Sequence, residues 1–258
     1  CSSDLNVLAR KVYLNDINAS TKYGSKEGLK ADGNVSLKEN SIVYGDQVSL
    51  KDGASVSYKA DGAYAANKGG RDTADAGEYK KNVVVTGAEL VGNELGNYEL
   101  VNEATGRITV GQAEMHVKLN DVERTYGNTA LINGTAYGVN GLTGNVNGDN
   151  YGVGDVKVTV KSDGAVDGVS GSKVTNNVGA YTWSGTVTTD NAGLNKNYKL
   201  ELKGDGVSKV EKATLNFVVD DKIITQNVPA EYTGTAKGLA NGDTLAGIGV
   251  GGYELDSS

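Results

Sequence analysis

Proline, phenylalanine, tryptophan, methionine, histidine and cysteine each occur once in the 258 residues. A single cysteine, Cys1, excludes an internal disulfide and fits either the cytosol or a secreted bacterial fibre held by its fold alone. A single histidine, His116, would have to serve any Ser-His-Asp triad or His-ligated metal centre by itself, and nothing near it in sequence suggests either. No apolar run approaches the ~18 residues a membrane-spanning helix needs. Lys and Arg form no cluster, and the net charge is −7, so neither nucleic acid nor an anionic membrane is expected as a partner. None of the glycine-rich stretches ends in Gly-Lys-Ser/Thr, which excludes a phosphate-binding loop of that kind.

Glycine, at 37 residues, and tyrosine, at 14, are what the chain has in abundance. The glycines show no three-residue period, so a collagen helix is out. A composition rich in Gly, Thr, Asn, Val and Tyr points instead to strands joined by tight turns. Met115, Val117 and Leu119 alternate with Glu114, His116 and Lys118, the period of two that buries one face of a strand. Val156, Val158 and Val160 do the same, as do Ala54, Val56 and Tyr58. Turn clusters such as Lys51-Asp-Gly53, Asn147-Gly-Asp149 and Ser162-Asp-Gly164 separate these runs. The expected fold class is therefore all-β, sandwich or β-grasp-like. Helix signals are thin: one short turn within 238–246, after Asn241 or Asp243 as a cap.

The chain repeats itself at about one hundred residues. Ala113-Glu-Met-His-Val-Lys-Leu-Asn-Asp121 aligns with Ala213-Thr-Leu-Asn-Phe-Val-Val-Asp-Asp221. Val12-Tyr-Leu-Asn-Asp16 matches Val117–Asp121, and Tyr23-Gly24 matches Tyr126-Gly127. Asp75-Ala-Gly-Glu-Tyr79 lies over Asn177-Val-Gly-Ala-Tyr181, and Gly96-Asn-Tyr-Glu-Leu100 over Lys196-Asn-Tyr-Lys-Leu200. These landmarks predict a first β domain over 1–112, a second over 113–212, and an incomplete third over 213–258, arranged end to end as an elongated rod. A half repeat exposes unpaired strand edges, which a continuing chain or another subunit would complete.

The landmark set resembles the MBG and YDG ("mostly beta, glycine-rich") repeats of filamentous-haemagglutinin-like bacterial exoproteins. That family runs from Gly-Thr-Tyr through Asn-Tyr and a Gly-Thr-Leu-Thr-Val strand to Lys-Ala-Thr-Leu. Here Val178-Gly-Ala-Tyr181, Asn197-Tyr198, Gly106-Arg-Ile-Thr-Val110 and Lys212-Ala-Thr-Leu215 carry the likeness. The half repeat adds Tyr232-Thr-Gly234 and Gly238-Leu-Ala-Asn-Gly-Asp-Thr-Leu245. The chain departs from the family in longer loops, at 26–50 and 61–76, and in having almost no proline. The resemblance implies a cell-surface or secreted, extracellular stalk that projects an adhesive region, with no catalytic residues and no cofactor. Its partners would be neighbouring repeats, or identical subunits of a fibre.

Other residues invite chemistry of their own. The run from Asn145 to Asp155 gathers Asn145, Asn147, Asp149 and Asp155 on a turning backbone, oxygen donors of the kind calcium takes; the alternative is a plain turn-rich loop. Tyr181 and Trp183 fall on one strand face, where an aromatic pair stacks on sugar rings or packs a domain junction. A glycan- or protein-binding module using the loops and Trp183 is thus the second expectation. A carbohydrate-active enzyme is the third, although neither Asp220 with Asp221 nor Asp72 with Asp75 is singled out by spacing. His116 is expected to face solvent. The start Cys-Ser-Ser-Asp resembles a mature bacterial lipoprotein with Cys1 as the lipid carrier, or else a fragment that begins at Cys.

Overall fold

The computed structural model describes residues 7–103, 105–128, 138–162, 177–182, 184–203, 208–221, 223, 225–227 and 233–249. Cys1 and Trp183 lie outside the described residues. In chain order the strands of the first hundred residues are β1 (Arg10–Tyr13), β2 (Ala19–Lys22), β3 (Lys30–Ala31), β4 (Val48–Leu50), β5 (Ser55–Tyr58), β6 (Gly77–Thr86), β7 (Leu90–Gly92), β8 (Tyr98–Val101) and β9 (Gly106–Gly111). There follow β10 (Ala113–Leu119), β11 (Val122–Thr125), β12 (Val139–Thr143), β13 (Lys157–Ser162), β14 (Gly179–Tyr181), β15 (Ser184–Thr188), β16 (Tyr198–Leu202), β17 (Ser208–Glu211), β18 (Asn216–Val219) and β19 (Gly234–Lys237). Two six-residue helices interrupt them, α1 (Ala63–Lys68) and α2 (Ala192–Asn197). The protein is mostly β, as its composition predicts.

Two compact units divide the chain. The first holds Cys1–Met115 together with Gly144–Tyr151 and Thr189–Leu200. Two segments that the sequence repeat assigns to its second copy, 144–151 and 189–200, therefore fold with the first. The second unit holds His116–Thr143, Gly152–Thr188 and Glu201–Ser258.

In the first unit a five-stranded sheet runs in the order β3-β2-β9-β6-β5. Its parallel pair sets Ala19 against Ile108, and its antiparallel pair sets Gly77 against Val110 and Tyr79 against Ile108. Ala19, Val83, Ile108 and Val110 are buried on one face of this sheet. The register of β6 slips between Tyr79 and Val83, with Lys81 at φ +55°, the signature of a bulge. The bulge aims Asn82 at α1, where its Oδ1 accepts from the Tyr64 N–H at 2.9 Å. Gly62, the residue ahead of α1, has no side chain to cap with, so β6 supplies the missing acceptor. A Cβ at Gly62 would stand 2.3 Å from Asn82 Oδ1, which is why glycine fits there. A second pair in this unit sets β1 parallel to β8, Val12 opposite Leu100.

The second unit pairs its strands in the same senses. β11 is parallel to β17, Val122 opposite Ser208, and β14 is antiparallel to β17, Gly179 opposite Val210. β13 and β15 form an antiparallel pair, as β5 and β6 do in the first. The part of β10 from His116 onward pairs with β12, His116 opposite Thr143. Leu119, fully buried, gathers Val122, Val139, Val158, Val160 and Leu202 around it. His116 is half-buried rather than solvent-facing, and its Nδ1 has no hydrogen-bond partner. β18 and β19 pair antiparallel, Asn216 opposite Lys237. The segment 238–249 forms turns, with one helical-type bond from the Ile248 N–H to the Thr244 carbonyl.

Candidate functional site

The densest polar network of the first unit forms around Asp75, Asp149 and the ring of Tyr198, and it joins segments more than a hundred residues apart in sequence. Its first half is a carboxylate cage. Asp75 takes Arg71 Nη2 at 3.0 Å and Lys196 Nζ at 3.2 Å. It also accepts from Asn197 Nδ2 at 3.1 Å and Asn67 Nδ2 at 3.3 Å. A carboxylate has about four lone-pair sites, and these four donors occupy them. Burial by itself raises the Asp75 carboxyl, but the hydrogen bonds from Asn197, Lys196, Asn67 and Arg71 outweigh it and hold the group below its ordinary value. Asn197 completes the link by accepting from the Ala76 N–H at 2.8 Å.

The second half is a turn locked under two tyrosines. Val146-Asn-Gly-Asp149 closes on itself through the Asp149 N–H and the Val146 carbonyl, 3.0 Å apart. Asn147, at φ +62°, and Gly148, at φ +82°, take the left-handed conformations such a tight turn demands. The Tyr198 hydroxyl accepts from the Val146 N–H at 3.0 Å and donates to Asp149 Oδ2 at 2.9 Å. Tyr23 donates to the same oxygen at 2.7 Å, and the two rings meet edge to face, 5.4 Å between centroids. Burial pushes the Tyr23 hydroxyl up to about 12, with Asp149 adding to it. Tyr198 is raised for the same first reason.

Asn147, almost fully buried, reads the backbone of Thr73 from both sides. Its Oδ1 accepts from the Thr73 N–H and its Nδ2 donates to the Thr73 carbonyl, each at 3.1 Å. The Thr73 hydroxyl in turn accepts from the Gly24 N–H at 2.8 Å. Gly24 lies directly under the turn: a Cβ there would come within 2.3 Å of Val146 Cγ2. At the far end of this assembly, Gln112 Nε2 reaches the carbonyls of Asn195, Lys196 and Tyr198 at 3.1–3.2 Å.

A turn with the same Gly-Asp ending and closing bond occurs three times among the described residues, although Tyr44 lacks the positive φ of Asn147 and Asn241. Val43-Tyr-Gly-Asp46 closes with the Asp46 N–H 3.1 Å from the Val43 carbonyl, and Ala240-Asn-Gly-Asp243 closes at 2.9 Å. In the first copy Tyr98 plays the part of Tyr198, its hydroxyl accepting from the Val43 N–H and donating to Asp46. Within the second unit, a Cβ at Gly127 would stand 2.1 Å from Ala240 Cβ, as one at Gly24 would meet Val146 in the first. Each of these Tyr-Gly steps therefore receives a turn from the sequence copy that follows it. The network was not read from the sequence: Gly-Asp occurs five times in the chain, and the pair alone does not single out the three that close these turns.

The predicted calcium donors have other occupations. Asn145 exchanges two hydrogen bonds with the Tyr151 backbone, at 3.0 and 2.9 Å. Asn147 and Asp149 belong to the network above. Asp155, in the second compact unit, accepts from the Gly152 N–H at 2.8 Å. Among the described residues no three His, Cys, Asp or Glu side chains gather as metal ligands would. Tyr181, half-buried on β14, donates to the Asn177 carbonyl at 2.5 Å. No helix of the described residues is long and apolar enough to cross a membrane. No family model, no curated protein and no solved structure matches the chain.

Proposed function

We propose that the chain is a non-catalytic, structural segment of a bacterial surface or secreted fibre, made of serially interlocked β repeats of the MBG/YDG kind. The observation that carries this reading is the recurrent docking of an x-x-Gly-Asp turn onto the Tyr-Gly step of the preceding copy, Val146 on Gly24 and Ala240 on Gly127. Independently folded domains on a flexible linker would leave the sequence boundary near 112 exposed. Instead, Gln112, Asp75 and Thr73 are hydrogen-bonded to segments beyond it. Interlocking of this sort makes neighbouring copies share one nearest-neighbour interface, the arrangement that stiffens repeat proteins. The strand pairings, parallel β2–β9 with antiparallel β6–β9 and parallel β11–β17 with antiparallel β14–β17, support the same reading. An extracellular stalk follows from the family resemblance, with neighbouring repeats as its partners.

Small-angle X-ray scattering on the full chain tests the proposal. A long, thin particle, indifferent to calcium and chelator, is the expected result. A compact particle overturns the rod.

A further inference from the structure

In the first unit, β3 and β5 are the two edges of the five-stranded sheet, and the sheet curls until they approach each other. A hollow of about 210 Å³ opens between β5 and the turn after β2, and a shallower one of about 580 Å³ adjoins it on the far side of that turn. Thr21, Ser25 and Gly28 line both. Gly28, at φ +78°, has no atom within 4 Å of where a Cβ would stand, so the floor between the hollows is open.

The walls carry three kinds of group. Tyr58, half-buried, is braced by Tyr64 at 5.1 Å between ring centroids, and Tyr64 by Tyr79 at 5.4 Å, edge to face. That stack fixes the Tyr58 ring before any ligand arrives. Lys68, in the last turn of α1, holds its ammonium 5.3 Å from the centre of the Tyr58 ring. Among the described residues it forms no ion pair with a carboxylate, and neither does Asp72 on the same wall. Small hydroxyl side chains, Thr21, Ser25 and Ser57, fill in between. Lys22 and Lys30 extend the cationic lining into the larger hollow, each paired at the surface with a glutamate, Glu114 and Glu27.

We infer that this cleft binds an acidic oligosaccharide, one sugar ring seated at Tyr58 with its carboxylate on Lys68. An aromatic ring offers an apolar surface to a pyranose, and the hydroxyls of Thr21, Ser25 and Ser57 offer hydrogen bonds to its own. Lys68 is a half-buried cation that has no carboxylate partner among the described residues, in a chain whose net charge is −7. The second hollow leaves room for further rings beside Lys22 and Lys30, which keep their glutamate partners, so an oligomer fits better than a monosaccharide. Serial stacking of the repeats is independent of this cleft, and scattering and titration test the two separately.

The test is a titration of the full, isotope-labelled chain followed by amide NMR shifts, with tetragalacturonate, maltotetraose and tetraglutamate as probes. Tetragalacturonate is expected to shift Thr21, Ser25, Gly28, Tyr58 and Lys68, with the neutral sugar and the acidic peptide much weaker. Lys68→Gln should weaken the uronate roughly tenfold or more, the loss of one charge-assisted pair, while Tyr58→Phe should keep most of the affinity. Absent shifts at these residues, an equal response to maltotetraose or tetraglutamate, or unchanged affinity in Lys68→Gln would each overturn the assignment.

Discussion

Gly24 and Gly127 are positions where a docked turn leaves no room for a side chain. Both have positive φ, +71° and +80°, and both sit against a docked turn. Gly24→Ala is expected to destabilise the first unit by about 2–4 kcal/mol, the sum of a left-handed backbone penalty and an overpacked contact with Val146. Gly127→Ala should behave alike against Ala240. Gly28→Ala, also at positive φ but facing open space, is the control and should show only the backbone part. Urea unfolding of the three variants measures the difference. In the third copy the position equivalent to Gly127 is Asn227, at φ +66°.

Among the elements, α2 shows how a six-residue helix persists. Asn191 accepts from the Gly193 and Leu194 N–H groups at 3.0 and 3.1 Å, capping one end. Gln112 binds carbonyls at the other, and Leu194 is fully buried between. So short a helix has no stability of its own. Asn191→Ala should cost about 1 kcal/mol, and hydrogen exchange should speed up across 192–197 and at the Ala76 amide, which Asn197 accepts from. If only the helix amides respond, α2 does not hold the Asp75 cage. The helices also mark where sequence reading fell short. Ala63-Tyr-Ala-Ala-Asn-Lys68 lay in a segment read as a long loop, because its cap, Asn82, comes from a strand fourteen residues further on. The strands were more legible: β10 alternates as its sequence does, with Ala113, Met115, Val117 and Leu119 buried.

For the whole chain, the two halves of the network set a pH window. Asp75 has a depressed carboxyl, so its contribution is complete above the unfolded value near ~3.9 and is lost as pH falls through the folded one. Tyr23 and Tyr198 are raised, so theirs is complete below ~10 and lost as pH rises through the folded values, about 12 for Tyr23. Stability should therefore fall at both ends, and the acid limb should flatten in Asp75→Asn. That variant should also lose about 1–3 kcal/mol at neutral pH, since Arg71 and Lys196 keep their charge without the carboxylate. Unfolding midpoints collected from pH 2 to pH 12 check both limbs.

Period-two patterning, turn residues and recurrent landmarks determined by themselves that the chain is a β protein. They did so because strand pleat and turn geometry are local constraints, written within a few residues. Where the second copy's segments go was decided by the tertiary structure alone. The run from Asn145 to Asp155 reads as a turn-rich loop, with calcium the lesser alternative, since Asn, Asp and Gly suit an ion and a tight turn alike. What settles their partners is Tyr23, Thr73 and Tyr198, brought to them from distances of up to 126 residues. No local pattern encodes such contacts. They exist because burying Asn147 is tolerable only where its amide finds both a donor and an acceptor, which the Thr73 backbone supplies.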